Sequence, residues 1–264
     1  MPKIETLLAE LPTTPTTEAV LEMVTRAFEA LADRGAYAQA MQSVIPGVDK
    51  MYAVRVPLLR KLAKGIQKAY KQDRAVLKEI ALASWKQASR EHELLALFLL
   101  GYITNMSPAE RWELGNRFLP QVRHWEACDQ LCAALLGEAL AQDARYIDEL
   151  ERWVKNKELW VRRAALVATV YLRRARHPHE TALDLDRRTL GMCASLLDDK
   201  QPYIRKAVDW AIRETIKRRY DLGYEWMMAQ ASVKTSPTAR STLKLASKKL
   251  HDSDRKTFLS SLGD

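Results

Sequence analysis

Glycine is scarce in this chain of 264 residues: there are nine glycines, beside ten prolines. An all-β fold needs many tight turns and therefore more glycine, so the composition argues against that class. No run of apolar residues approaches the roughly 18 that a membrane-spanning helix needs. The opening residues, MPKIE, lack the basic and then apolar segments of a signal peptide. We therefore expect a mainly helical protein with no membrane partner.

The sequence also contains few cysteines and none of the common catalytic motifs. Three cysteines are an odd number and a poor basis for disulfides, which favours a reducing, cytoplasmic location. No phosphate-binding glycine loop, nucleophile elbow or paired-histidine motif is present. His124, Cys128 and Cys132 follow one another at four-residue spacing, but leucines share their flank and no fourth ligand lies nearby. Buried packing is therefore favoured over a metal site, and we predict neither metal nor cofactor.

Positive charge is concentrated in the second half of the chain. The net charge is −1 over residues 1–150 and +10 over residues 151–264. Clustered lysines and arginines favour a polyanionic partner, because they release counterions from phosphates. A basic surface that is merely solvated is the equally balanced alternative on charge alone.

Helical periodicity covers nearly the whole chain. Thr16 and Thr17 can cap a helix that runs to Arg34, with Gly35 in the position of a C-terminal glycine. Helix starts are also indicated by Pro57 and by the capping-box spacing of residues 107–110. Further helices are predicted over residues 74–86, 90–104, 123–140, 145–156, 158–174, 186–197, 202–219 and 236–250. Helices of this length joined by short turns indicate antiparallel pairs.

Two of these helices repeat each other. Residues 157–165 (KELWVRRAA) match residues 200–208 (KQPYIRKAV) position by position, at a spacing of 43 residues. This spacing is typical of HEAT and armadillo repeats. We therefore predict an all-α fold, an α-solenoid of HEAT-like antiparallel helical repeats with a concave binding face. A single domain is expected over residues 1–264, with loosely ordered ends at 1–15 and 252–264.

Residues 202–219 carry the most informative helix face. An apolar stripe follows the helical period at positions 204, 208, 211, 212 and 215. Lys206, Trp210, Arg213 and Lys217 fall on the opposite side. Most tryptophans pack in the core, but Trp210 lies on the face that carries the cations and away from the apolar stripe. An aromatic ring flanked by cations suits a base, a sugar or a cationic ligand together with phosphates.

Two other segments offer candidate residues. Trp125 and Asp129 are four residues apart and so share a helix face, where a carboxylate beside an indole can stabilise a developing positive charge. Spacing alone still favours an ordinary amphipathic helix whose aspartate faces solvent. Arg163 follows Trp160 and could contact a phosphate, with a solvated side chain or an interhelical salt bridge as equally weighted alternatives.

Taken together, these stretches resemble the DNA alkylation repair family of HEAT-like-repeat DNA glycosylases. The resemblance covers about residues 20–250, and four segments carry it in the family's order and spacing. They are VRVPLLR at 54–60, WEACD at 125–129, LWVRRAA at 159–165 and IRKAVDWAIRE at 204–214.

The resemblance implies hydrolysis of the N-glycosidic bond of positively charged alkylpurines, such as N3-methyladenine and N7-methylguanine. The implied partner is duplex DNA with alkylated bases, which lies along the concave surface without a base-flipping pocket. The implied catalytic cleft holds Trp125, Asp129 and Trp210, and Arg163 and Arg213 grip the backbone. We add the two lysines at 206 and 217 as DNA-binding candidates and expect a monomer.

One position departs from the family pattern. The family's cleft often includes a tyrosine on an N-terminal helix, whereas the aligned residues 42–47 (QSVIPG) contain none. Tyr37 and Tyr52 are nearby but out of register. Retention of Trp125, Asp129 and Trp210 favours a monofunctional, cofactor-free glycosylase. Loss of the tyrosine favours the alternative, a non-catalytic HEAT-type module that binds nucleic acid or a protein partner.

Overall fold

The computed structural model describes residues 4–233 and 236–263, and within these ranges it contains helices and no strands. Contacts divide the chain into two compact units, Met1–Leu135 and Leu136–Asp264. The predicted all-α class and its organisation as an α-solenoid of helical repeats are confirmed. No helix in the described part of the chain combines the length and apolarity needed to cross a bilayer.

The first unit holds helices α1 to α8. Their bounds are α1 Ile4–Leu8, α2 Thr17–Leu31, α3 Ala36–Val44, α4 Val56–Ala69, α5 Arg74–Lys86, α6 Arg90–Tyr102, α7 Pro108–Phe118 and α8 Trp125–Leu131. The central helix is α6, which packs against α4, α5 and α8. Every residue from Leu94 to Leu100 is buried, so this part of α6 is apolar on all sides, as a helix at the centre of a core should be.

The second unit holds helices α9 to α16. Their bounds are α9 Gly137–Gln142, α10 Ile147–Trp153, α11 Leu159–Thr169, α12 His179–Leu196, α13 Pro202–Arg218, α14 Tyr220–Ala231, α15 Pro237–Ala246 and α16 Asp252–Leu262. Here α13 is central and packs against α11, α12, α14 and α15. Short 3₁₀ turns follow several helices, among them Val170–Arg174 after α11.

Local capping signals place several helix starts correctly. The Thr16 hydroxyl accepts a hydrogen bond from the Ala19 amide at the start of α2. The Ser107 hydroxyl accepts one from the Glu110 amide at the start of α7. These side chains satisfy amides that have no partner within their own helix. Both predicted starts are therefore confirmed.

The prediction for Gly35 is wrong. Helix α2 ends at Leu31, and Gly35 has a φ of −88° at the N-cap of α3 instead of a left-handed C-terminal conformation. The chain leaves the helix early because the Asp33 amide donates to the Ala53 carbonyl, 3.0 Å away. The Asp33 carboxylate also binds the Arg55 guanidinium at 2.8 Å. Contacts with a distant loop thus decide where α2 ends.

Two other predictions are corrected. Residues 123–140 are not one helix, because a π-helical turn at Cys132–Leu136 follows α8. Among the described residues of the two ends, which were expected to be loosely ordered, α16 spans Asp252–Leu262 and its Phe258 side chain is fully buried. At the other end, α1 buries Ile4 and Leu7.

Candidate functional site

The candidate residues belong to both units. Trp125 and Asp129 lie on α8 of the first unit. The second unit carries the others, Arg163 on α11 and Lys206, Trp210, Arg213 and Lys217 on α13. The two sets of residues therefore have different structural surroundings.

Helix α8 presents Trp125 and Asp129 at the edge of its buried face. Both side chains are half-buried, whereas Ala127, Cys128 and Leu131 point into the core and are completely buried. The indole Nε1 of Trp125 donates a hydrogen bond to the main-chain carbonyl of Val44, 3.0 Å away. The ring is therefore held against the end of α3, and Asp129 follows one helical turn later.

The start of α8 is capped by a histidine. The Nδ1 atom of His124 accepts a hydrogen bond from the Ala127 amide at 3.4 Å, and Nε2 lies 3.0 Å from Oε2 of Glu93. Since Nδ1 must be unprotonated to accept, the proton is on Nε2, which donates to the carboxylate. Cys128 and Cys132 are buried in the core, and neither takes part in a disulfide. The predicted burial of the two cysteines and the histidine is therefore confirmed.

A buried arginine ties α8 to α6 and to the segment before α4. Arg90 donates to Glu126 on α8 through Nε at 2.6 Å and Nη2 at 3.1 Å. Its Nη1 atom donates to the Val54 carbonyl at 3.0 Å and to Glu91 at 2.8 Å. Burial by itself would lower the pKa of Arg90, but hydrogen bonding and the charges of Glu126 and Glu91 outweigh it and raise that pKa. The guanidinium stays charged and fixes the helix that carries Trp125.

The same cluster accounts for a nearby tyrosine. Tyr37 on α3 accepts a hydrogen bond from Nη2 of Arg90 at 3.2 Å, and the Arg55 guanidinium lies 4.7 Å from the centre of its ring. Tyr37 is thus engaged in the support of α8. Beside Trp125, the structure has the Val44 carbonyl, from the stretch in which the family often has a tyrosine.

The sequence shows little sign of this cluster. Arg90 and Glu91 lie at a predicted helix start, and the partner carboxylate at 126 lies 36 residues away. The one local signal was an Arg-Glu pair next to the long apolar run of α6, where unpaired charges are costly to bury.

Helix α13 has the two faces that its sequence predicts. Ile204, Val208, Ala211, Ile212 and Thr215 are completely buried or nearly so. On the other side Lys206 and Lys217 are exposed, and Trp210 and Arg213 are half-buried. The predicted position of Trp210 outside the core is therefore confirmed.

Two of the three cations on this face already have carboxylate partners. Arg213 forms a bidentate salt bridge with Asp209, with both nitrogen–oxygen distances at 3.0 Å. Lys217 lies 2.5 Å from Oε1 of Glu214, which is buried. In the described part of the chain, no carboxylate lies within 4.0 Å of the Lys206 ammonium. Lys206 is thus the most available of the three for a phosphate.

The surroundings of Trp210 include residues that sequence analysis did not identify. Tyr171 meets the indole edge-on, with ring centres 6.4 Å apart. The Arg174 guanidinium lies 4.2 Å from the centre of the Tyr171 ring, and its Nη1 is 3.2 Å from Oε2 of Glu138. An aromatic pair, a cation and a carboxylate therefore lie together. Glu138 and Trp210 are more than 30 residues away from the turn that carries Tyr171 and Arg174, so spacing gave no sign of the group.

Arg163 differs from expectation. Only 4% of this residue is exposed, and its Nη1 donates to the main-chain carbonyl of Tyr203 at the start of α13. The expected contact with a phosphate needs an accessible guanidinium, and this one is inside the second unit. The structure indicates instead that Arg163 helps to hold α13 against α11.

Fold and site together define an all-α, HEAT-like repeat protein with a face of cations around a tryptophan. Residues 24–250 match the family model of the DNA alkylation repair enzyme. The match spans most of the chain, which therefore belongs to the DNA alkylation repair enzyme family. This membership supports a role in DNA repair, with DNA as the partner.

Solved structures show the same fold. A predicted DNA alkylation repair enzyme from Enterococcus faecalis superposes with a TM-score of 0.64 at 18% identity, covering 81% of this chain and 96% of that one. The protein smu.31 from Streptococcus mutans UA159 gives 0.52 at 22% identity, covering 74% and 98%. No curated protein matches the chain in sequence.

Proposed function

We propose that this protein is a monofunctional DNA glycosylase that hydrolyses the N-glycosidic bond of positively charged alkylpurines in duplex DNA. N3-methyladenine and N7-methylguanine are the substrates that we infer. The observation that carries the proposal is the position of Trp125 and Asp129, one helical turn apart on the half-buried edge of α8. These residues match the family pattern by position, and the buried Arg90 cluster supports their helix.

The chemistry needs little from the protein at the leaving base. A purine that already carries a positive charge departs readily, so neither a strong general acid nor a metal or cofactor is required. As the bond breaks, positive charge develops on the sugar, which resembles an oxocarbenium ion. A carboxylate at Asp129 would stabilise this charge and orient the attacking water. The indoles of Trp125 and Trp210 would attract the cationic base and sugar through their ring faces.

The basic face of α13 would hold the DNA backbone. Lys206 is exposed and can contact a phosphate directly. Arg213 and Lys217 would have to leave their carboxylate partners, or contact a phosphate in addition to them. Arg163 enters the proposal through its hydrogen bond to the Tyr203 carbonyl, which positions α13. It is not assigned a phosphate of its own.

The decisive experiment is single-turnover excision of N7-methylguanine from a duplex by wild type and Asp129→Asn. The substitution keeps the shape of the side chain and removes its charge. Loss of one preorganised electrostatic partner costs on the order of a hundredfold in rate, about 3 kcal/mol. The affinity for DNA should barely change, because a carboxylate does not help to hold phosphates.

Asp221→Asn is the matched control. Asp221 is exposed on α14, and its substitution changes the net charge by the same amount. Its excision rate should equal that of wild type. Equal rates for wild type and Asp129→Asn would remove Asp129 from the mechanism. If wild type excises no cationic purine at all, a DNA-binding module without catalysis becomes the better account.

A further inference from the structure

The second unit contains a cavity away from the tryptophan face of α13. It has a volume of about 240 Å³ and lies among the turn after α11, the first part of α12 and the end of α13. Its polar lining consists of Arg173, His177, Asp186, Arg218 and Arg219, and leucine and alanine side chains complete the wall. Nothing in the proposed glycosylase chemistry uses these residues.

The charge of this cavity is positive. Asp186 is buried and accepts from both neighbouring arginines on α13 and its C-cap, with Arg218 Nε at 2.8 Å and Arg219 Nε at 3.0 Å. One carboxylate thus faces two guanidiniums, which leaves one positive charge. Arg173 adds another, since its side chain is exposed and no carboxylate of the described residues lies within 4.0 Å of it. The cavity therefore favours an anion.

Two nitrogen atoms at this cavity lack partners. Nε2 of His177 and Nη1 of Arg218 are buried, and no described residue forms a hydrogen bond with either. Buried polar atoms in folded proteins are nearly always hydrogen-bonded, so each such atom calls for a partner. An arginine nitrogen can only donate, and the partner must therefore offer an acceptor oxygen.

We propose that this cavity binds a terminal phosphate group, either inorganic phosphate or a phosphate monoester. Such a group offers several acceptor oxygens and a charge that matches the surplus of the lining. A volume of about 240 Å³ equals that of about eight waters, which is ample for a phosphate. A terminal phosphate offers three free oxygens and about two negative charges, whereas a phosphate within a continuous strand has fewer of both.

The first test is calorimetric titration with inorganic phosphate at low ionic strength. Wild type should bind, and Arg173→Gln should bind about tenfold more weakly, because a charge-assisted hydrogen bond is lost. Arg176→Gln is the matched control, since Arg176 is also exposed, is three residues away and lies outside the cavity. Its affinity should stay within about twofold of wild type. No binding by wild type, or equal weakening by both substitutions, overturns the proposal.

A second arm identifies the source of the phosphate. Two duplexes are compared, identical except that one carries a 5′-phosphate and the other a 5′-hydroxyl. Tighter binding of the phosphorylated duplex, lost in Arg173→Gln, assigns the site to a DNA end. Equal binding of both duplexes, with phosphate still bound through Arg173, assigns it to a small molecule. Neither result depends on base excision, so the phosphate site and the glycosylase activity are tested independently of each other.

Discussion

Arg163 and Lys206 occupy matching positions in the two repeated helices, α11 and α13, but their surroundings are opposite. Lys206 is exposed on the basic face, whereas Arg163 is buried and bound to the Tyr203 carbonyl. The difference arises because α13 packs against α11. In a stacked array, the same position can thus face the next repeat in one copy and solvent in another. Residue type and repeat register alone cannot separate these cases.

A buried histidine in the first unit should make stability depend on pH. Burial, with a smaller effect of Lys50, lowers the pKa of His92 to about 4 from its ordinary 6.5. Between these values the unfolded chain binds more protons than the folded one. The free energy of unfolding should therefore fall as the pH is lowered from 6.5 towards 4, by up to about 1.4 kcal/mol per pH unit.

Urea unfolding at pH 6.5 and pH 5 measures this effect. His92→Gln should reduce the difference between the two values, because its side chain does not titrate. His179→Gln, at an exposed histidine, should leave the difference as in wild type. An unchanged difference in His92→Gln would show that other groups cause the pH dependence.

At the scale of single elements, helix starts with a local cap were predictable, whereas the start of α12 at His179, the whole of α14 and several helix ends were not. A cap is a local interaction within three residues, as at Thr16 and Ser107. The early end of α2 depends on Ala53 and Arg55, some 20 residues further along the chain. The break at Cys132–Leu136 has no local signal at all, since CAALL contains mostly good helix formers.

Helix α16 provides a test of order at the end of the chain. Its Phe258 side chain is fully buried and the helix packs against α14. Removal of a buried phenylalanine typically costs about 3–5 kcal/mol. In Phe258→Ala, amide hydrogens of α16 should therefore exchange at least about a hundredfold faster than in wild type.

The matched substitution is Lys256→Ala, at an exposed position of the same helix. It should leave the exchange of α16 close to that of wild type. The sequence contains signals for this helix, since Asp252 and Asp254 lie in its first turn and Gly263 follows its end. In the structure Gly263 has the left-handed conformation, with a φ of +81°, that favours glycine at a helix end. Rapid exchange of α16 in wild type would contradict the packed end seen here.

At the scale of the whole molecule, the surplus of positive charge was predictable from composition, but its availability was not. Arg213 is paired with Asp209 and Lys217 with Glu214, so a count of cations overstates the number of side chains that are available to bind a phosphate. These pairs depend on side-chain conformation along α13. The tryptophan face itself could be predicted, because a helix with one apolar stripe must expose the opposite side.

The pairing predicts a gain of binding. Asp209→Asn removes the carboxylate that holds Arg213 and should tighten the binding of duplex DNA by about threefold to tenfold. The dependence on salt should become steeper by about one unit, since one more cation engages a phosphate. Affinities measured at several salt concentrations give both quantities.

Asp221→Asn again separates local from general effects, since it makes the same change in net charge on α14. It should tighten binding much less than Asp209→Asn. If the two variants bind DNA equally well, the Asp209 contact does not limit Arg213, and only the overall charge matters.

The central place of α13 has a consequence for how the second unit comes apart. Helical arrays tend to fray from their ends, because a terminal repeat has a neighbour on one side only. Helix α13 contacts α11, α12, α14 and α15, so it should be the last element to open. Lys206, Trp210 and Arg213 are one or two helical turns apart on it. Their spacing should therefore persist through partial unfolding that has already released the end of the chain.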